Sequence, residues 1–198
     1  MSETPQRDAG MIGPNAVLQM LPQIKKIGGD QLVTRMLWSA GITHVPDGTQ
    51  MIPEGQAARL HRLLRKEEPE LAPALAAAAG RNTARYILVH RIPKPVQVIL
   101  RVLPAHAAAH LLSRAIAKHA WTFVGSGKFE RLNAWTFQIT NNPVIRGETS
   151  DKPLCTWHAA VFEKLYRALV HKSCRCVETS CCALRKNSAC EFRISMCR

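Results

Sequence analysis

The chain has 198 residues, 46% of them hydrophobic and 21% charged, the balance of an ordinary folded domain that builds its core without covalent staples. Its seven cysteines are an odd number, which excludes complete intramolecular pairing. A net charge of +13 fits a solvated basic surface or an acidic partner (nucleic acid, an anionic membrane surface, a carboxylate-bearing small molecule), and charge alone does not choose among them.

Residues 1–13 are polar, carry Gly10 and Gly13 and show no periodicity, so an unstructured N-terminus is expected. No apolar signal-peptide core follows, and the longest uncharged apolar run, "LAPALAAAAG", is far short of the roughly 20 residues of a membrane span. The expected setting is cytoplasmic and reducing, where cysteines are more often reduced, metal-bound or catalytic than bridged.

"NAVLQMLPQIKKIGG" predicts a first helix, with Asn15 as its cap, a kink at Pro22 and a stop at Gly28–Gly29. "DQLVTRMLWSAG" predicts a second, with Leu32, Met36 and Leu37 as its apolar stripe. "PEGQAARLHRLLRKE" predicts a third, burying Ala57, Leu60, Leu63 and Leu64. The Ala-rich stretch from Glu70 continues helical, and one long helix follows Pro95, with a break or kink at Pro104. The character then changes. "AWTFVGSGKFERL" and "AWTFQITNNPVIRG" carry the aromatic and branched residues of antiparallel strands, and the repeated AWTF is too short to be an internal repeat. In "CTWHAAVFEKLYRALV", Trp157, Val161, Leu165 and Leu169 recur every fourth residue, predicting a helix. "CEFRISMC" alternates in the way of a strand with one wet face, and a strand over 173–179 would put Cys174, Cys176 and Glu178 on one face. The fold class is therefore α+β, an antiparallel sheet packed with helices. A single domain is expected over 14–198, mainly helical over 14–118 and strand–strand–helix–strand–strand over 119–198.

The cysteine-rich tail carries the chemistry. Cys182 and Cys190 bracket a turn, Glu178 lies four residues before Cys182, and Cys155 opens a helix able to pack on that hairpin. Thiolates with one carboxylate suit a tetrahedral zinc ion. The spacing is not the paired C-x-x-C of a zinc ribbon, so buried reduced thiols and a redox disulfide stay open as alternatives. His106 and His110 share a helix face at metal-chelating spacing, but Ala107 stands where a zinc protease has its glutamate. His158 is either a hydrogen-bonded core histidine or a metal ligand. "VGSGKF" is not a phosphate-binding P-loop, and no GxGxxG turn joins a strand to a helix. Basic segments such as "HRLLRKE" read as amphipathic helices with solvated charges, which disfavours nucleic acid as partner.

"PLCTWHAAVFEKLYRALV" and "CRCVETSCCALRKNSACEFRI" resemble the 4-vinyl reductase domain. "RAIAKHAWTFVGSGKF" and "NNPVIRG" extend the resemblance to the bacteriochlorophyll 4-vinyl reductase proteins of photosynthetic bacteria, over roughly residues 80–198. The resemblance implies a TRAPP-like fold with an apolar ligand cavity, a chlorophyll-precursor tetrapyrrole such as divinyl protochlorophyllide as ligand, and reduction of its C8 vinyl group. It also implies structural zinc held by Cys155, Cys182 and Cys190, with Glu178 the nearest carboxylate. Thr179 stands where the family's glutamate usually lies, so Cys181 is an alternative ligand. Vinyl reduction needs an electron donor, and this sequence shows no nicotinamide or flavin motif. The economical expectation is a tetrapyrrole carrier or accessory protein. A reductase with an external donor and a zinc-stabilised nucleic-acid or small-molecule sensor are the alternatives. His158 or His119 would be axial to the pigment's magnesium, and Arg101 and Arg114 would pair its propionate. Expected partners are other enzymes of the bacteriochlorophyll pathway and a second copy of the chain, with the photosynthetic membrane surface as the other setting.

Overall fold

The structure is a computed structural model that describes residues 10–184 and 187–196. In chain order its elements are β1 (Met11–Ile12), α1 (Asn15–Leu18), α2 (Leu21–Ser39), β2 (Ile52–Pro53), α3 (Glu54–Glu67), α4 (Ala72–His90), α5 (Lys94–Val102), α6 (Ala105–Lys118), α7 (Trp121–Val124), β3 (Lys128–Arg131), β4 (Thr136–Thr140), α8 (Thr156–Leu169), β5 (Cys174–Ser180) and β6 (Ala189–Met196). Strands β3 to β6 form one antiparallel sheet in the order β3-β4-β6-β5. Among the described residues, no helix is long and apolar enough to cross a membrane.

The apolar interior that the sequence implies is a packed aromatic layer between α8 and the sheet. Phe162 of α8 lies 5.1 Å from Phe137 of β4 and 5.3 Å from Phe192 of β6, centroid to centroid, in edge-to-face contact. Phe123 and Phe129 close the same cluster, 5.5 Å apart. On its other side α8 packs along α4. This approach is close because α4 buries only small residues there, among them Ala76, Ala79, Gly80 and Ala84. A Cβ added to Gly80 would meet the Trp157 carbonyl oxygen at 2.3 Å. The four residues predicted to stripe α8 are all buried, as are Ala57, Leu60 and Leu64 of α3.

Several expectations are corrected. Within the segment expected to be unstructured, Met11–Ile12 pairs antiparallel with Ile52–Pro53 and Ile12 is fully buried; residues 1–9 lie outside the described residues. Pro14, not Asn15, occupies the cap position of α1, and the Asn15 side chain instead accepts a hydrogen bond from Gln19. Pro22 falls in the first turn of α2, where its missing N–H costs nothing. The break comes at Gly28–Gly29, where Gly29 adopts a φ of 63° that favours glycine. Pro104 does not kink one long helix but separates α5 from α6. The first AWTF is helical rather than a strand: Trp121–Val124 forms α7, which Gly125 ends at φ 52°.

Glu54 ties the front of α3 to the Gly-Ser-Gly turn. It accepts hydrogen bonds from the backbone N–H and the hydroxyl of Ser126, and pairs with Arg146 at 3.1 Å. Glycine is required at 125, since a Cβ there would meet the Glu54 carboxylate at 2.1 Å.

Candidate metal centre

Cys155 caps the N-terminus of α8, Glu178 lies near the end of β5, Cys181 follows that strand directly, and Cys190 is the second residue of β6. Their ligand atoms (three Sγ and one carboxylate oxygen) all lie within 4.8 Å of one another. A tetrahedral zinc ion with Zn–S bonds near 2.3 Å separates its sulfurs by about 3.8 Å, so the set is of the right size. Cys155 Sγ and Cys190 Sγ stand 3.5 Å apart. The three thiols are buried.

The surroundings are those of anionic sulfur. The Asn142 amide donates to Cys155 Sγ at 3.3 Å and reaches Cys190 Sγ at 4.0 Å. The backbone N–H of Leu154 donates to Cys181 Sγ, and that of Cys182 to Cys190 Sγ. Glu178 Oε2 accepts from the Cys155 N–H at 2.8 Å, while its Oε1 is buried with no hydrogen-bond partner among the described residues. A buried carboxylate oxygen without a donor is costly, and a cation at the centre of the set would satisfy it.

The electrostatics agree. Burial, then the neighbouring Cys181 sulfur, pushes the Glu178 carboxyl up to about 8. Burial, then hydrogen bonds with Cys181 and Cys190, drives the Cys155 thiol well above its ordinary range. Hydrogen bonds from Cys155 and Cys190 pull Cys181 down, making it the sulfur that holds negative charge first. At Cys190 the bond with Cys155 lowers, but the bond with Cys181 and burial prevail and raise the thiol. Several groups thus compete for one allowance of negative charge, which a divalent cation would relieve. Four protein ligands leave no open position on such an ion, the arrangement of a structural site rather than a catalytic one.

Of the sequence-predicted ligands, Cys155, Glu178 and Cys190 come together, and Cys181 completes the set where Cys182 was expected. The cause is a register shift between Glu178 and Ser180 in the β5–β6 ladder. Regular alternation from Glu178 would carry Ser180 and Cys182 inward; the irregularity changes the parity and turns Cys181 in. Cys182 is half-buried beside the set, with its Sγ 3.4 Å from Cys190 Sγ and bonded to the carbonyls of Ile139 and Ser188. Asn142 was missed as a site residue, although the Asn-Asn-Pro interruption marked a turn there; its side-chain oxygen also accepts from the Val144 N–H.

The tetrapyrrole candidates do not converge. His158 is buried among Trp157, Phe123 and Phe192, with Nε2 on the Phe123 carbonyl at 3.3 Å and Nδ1 without a hydrogen-bond partner. Desolvation holds its pKa down to about 4, so the ring is neutral at neutral pH. Arg114 and His119 are exposed. Arg101 is committed to the Ala168 carbonyl and to Gln97. His106 and His110 are also exposed, His106 against the edge of Trp135.

Next to the cysteine set lies an open cleft with a volume of about 730 Å³. Apolar Met20, Leu64, Ala76 and Leu154 share its lining with Lys66 and Lys152, whose ammonium groups have no partner among the described residues. Leu154 and Thr156, on either side of Cys155, form part of its wall.

Comparison with known proteins places these features. The family model of the 4-vinyl reductase domain matches residues 135–196, the span that holds the whole sheet beyond β3, all of α8 and all four clustered ligands. The "Bacteriochlorophyll synthase 23 kDa chain" of Cereibacter sphaeroides is 46% identical over 188 residues, 94% of this chain and 91% of that protein. Its namesake from Rhodobacter capsulatus is 42% identical over 182 residues, covering 91% of this chain and 85% of that protein. Among solved structures, an H-NOX protein from S. oneidensis matches with a TM-score of 0.53 at 10% identity, over 94% of this chain and 100% of that one, a likeness of fold.

Proposed function

The chain belongs to the family of the bacteriochlorophyll synthase 23 kDa chains, and from that premise we propose that it serves bacteriochlorophyll biosynthesis as a tetrapyrrole-binding accessory protein. The near full-length identity to relatives so named carries the assignment to the pathway. What the geometry adds is a division of labour between the cysteine set and the cleft.

Cys155, Glu178, Cys181 and Cys190 would hold a zinc ion that pins the start of α8 to the β5–β6 hairpin. Such an ion supplies a crosslink, not a reaction centre, because its four positions are filled. The residues beside Cys155 wall the cleft, so the crosslink also fixes the cleft's shape. The cleft is of a size for a small-molecule ligand and pairs apolar surface with Lys66 and Lys152, a match for a flat apolar macrocycle that carries carboxylates.

Absorption titration with Mg-divinyl protochlorophyllide tests this reading. The wild-type chain should shift the pigment's Soret band. A Lys66→Glu, Lys152→Glu double variant should bind at least about tenfold more weakly, because two attractions become repulsions. His158→Ala should bind as wild type. Loss of binding in His158→Ala with the lysine variant unaffected would move the pigment from the cleft to the interior around His158 and overturn the placement. No band shift with wild type would overturn the function.

A further inference from the structure

Helix α5 is packed inside out. Its inward residues are Gln97 and Leu100, and Gln97 is 2% exposed. Pro95, Val98, Ile99 and Val102 recur at i, i+3, i+4 and i+7 and form one face of the helix. That face points to solvent: Val98 is 57%, Ile99 54% and Val102 76% exposed. The polar side is held inward by bonds that fix the roll of the helix. The Gln97 amide donates to the carbonyls of Leu88 and Ile92, which closes the C-terminal end of α4. Arg101 binds the Gln97 side-chain oxygen and the Ala168 carbonyl at the end of α8. Rotating α5 to bury its valines would break all four bonds, so the outward apolar face is imposed by the fold.

The charge around this face has one sign. Between Glu70 and Glu130 the sequence contains no Asp or Glu, while Arg85, Arg91, Lys94, Arg101, Arg114 and Lys118 fall in that span and are exposed. We propose that α5, with its basic flanks on α4 and α6, is a docking surface for an anionic lipid bilayer. Val98, Ile99 and Val102 would enter the boundary between headgroups and acyl chains, and the lysine and arginine rim would lie against the lipid phosphates. A nucleic acid would use the rim but leave the valine face in water. A symmetric second copy would cover the valines but bring two basic rims together. Only a surface that is apolar within and anionic at its rim matches both features. The proposal stands on α5 and its flanks, independent of the cleft and the cysteine set.

The test is flotation of the full chain with vesicles of phosphatidylcholine alone and of phosphatidylcholine mixed with phosphatidylglycerol, at low and at high salt. The chain should bind the mixed vesicles at least about tenfold more tightly than the neutral ones, and high salt should weaken that binding. Val98→Glu and Val102→Glu should each lower it by at least about tenfold, and Lys94→Gln by about fivefold. These side chains are exposed, so circular dichroism melts should match wild type. Trp38→Glu, at a residue 78% exposed on α2, should leave binding unchanged. Absence of flotation with either vesicle would overturn the proposal, as would equal binding by Val102→Glu and wild type. A dimer that Val102→Glu dissociates, in a chain that ignores vesicles, would assign the face to a second copy instead.

Discussion

Gly80 is where the packing of α8 is most sensitive to one added atom. The Cβ of Gly80→Ala would stand 2.3 Å from the Trp157 carbonyl oxygen and 2.9 Å from the Ala160 Cβ. Ordinary carbon–oxygen contacts lie near 3.3 Å, so α4 and α8 must part by about 1 Å. Neither contact is a flexible side-chain end that could swing away. Overpacking of this kind costs about 1–3 kcal/mol, and exchanging glycine for alanine within a helix returns about 1 kcal/mol. The net expectation is a loss of about 1–2 kcal/mol, or a melting temperature lower by about 2–8 °C for a chain of this size. Gly80→Val adds two further carbons and a stiffer side chain, and should lose at least twice as much. Thermal melts followed by circular dichroism read the effect. The displaced turn carries Trp157, two residues from Cys155, so metal retention against a chelator should fall in the same order. Melting temperatures for both variants at or above wild type would refute the account of α4–α8 contact.

Other outcomes follow from the same structure. Cys155→Ser, Cys181→Ser and Cys190→Ser should each lose the roughly one zinc per chain expected of such a site, whereas Cys182→Ser should keep it; metal analysis of protein purified without added metal decides. His61 is buried with its pKa held down to about 3, by desolvation first and by Arg65 second, and its ring nitrogen bonds the Ala16 carbonyl. The unfolded chain takes up this proton near pH 6.5 and the folded chain does not. The resulting penalty is absent above pH 6.5, grows as the pH falls toward 3, and reaches about 2 kcal/mol at pH 5. The difference in urea stability between pH 7 and pH 5 should therefore shrink by about 2 kcal/mol in His61→Gln; an unchanged difference would contradict it. The fully buried Tyr166 donates its hydroxyl to the Ala134 carbonyl, tying α8 to the turn before β4, and Tyr166→Phe should cost about 1 kcal/mol in the same assay.

The helical stretches and the strand at β6 were legible because periodicity there reports burial directly. The stripe Trp157, Val161, Leu165, Leu169 is buried as its spacing requires. Identical local sequences with different neighbours were not legible. The two AWTF segments share their letters, yet one is followed by Gly125 at positive φ and forms a helical turn, and the other enters a ladder with β3 and β6. The inversion of α5 was hidden for a related reason. A hydrophobic pattern gives the face of a helix but not its direction, and here Gln97 and Arg101 set the direction through bonds to α4 and α8. In the cysteine set, residue types pointed to the chemistry and to three of the four members. The fourth depended on a one-residue irregularity in β5, which no count of spacings contains. Asn142 became visible only once its turn brought an amide to two sulfurs far away in sequence.

The central claim, a tetrapyrrole accessory protein rather than a self-sufficient reductase, is tested most directly by one spectrum. Purified zinc-replete chain is mixed with Mg-divinyl protochlorophyllide, with and without reductant, and the pigment is then extracted and its vinyl content measured. The account predicts a shifted Soret band in both samples and recovery of the divinyl pigment unchanged. An unshifted band, or reductant-dependent loss of the C8 vinyl group with this chain alone, would contradict it.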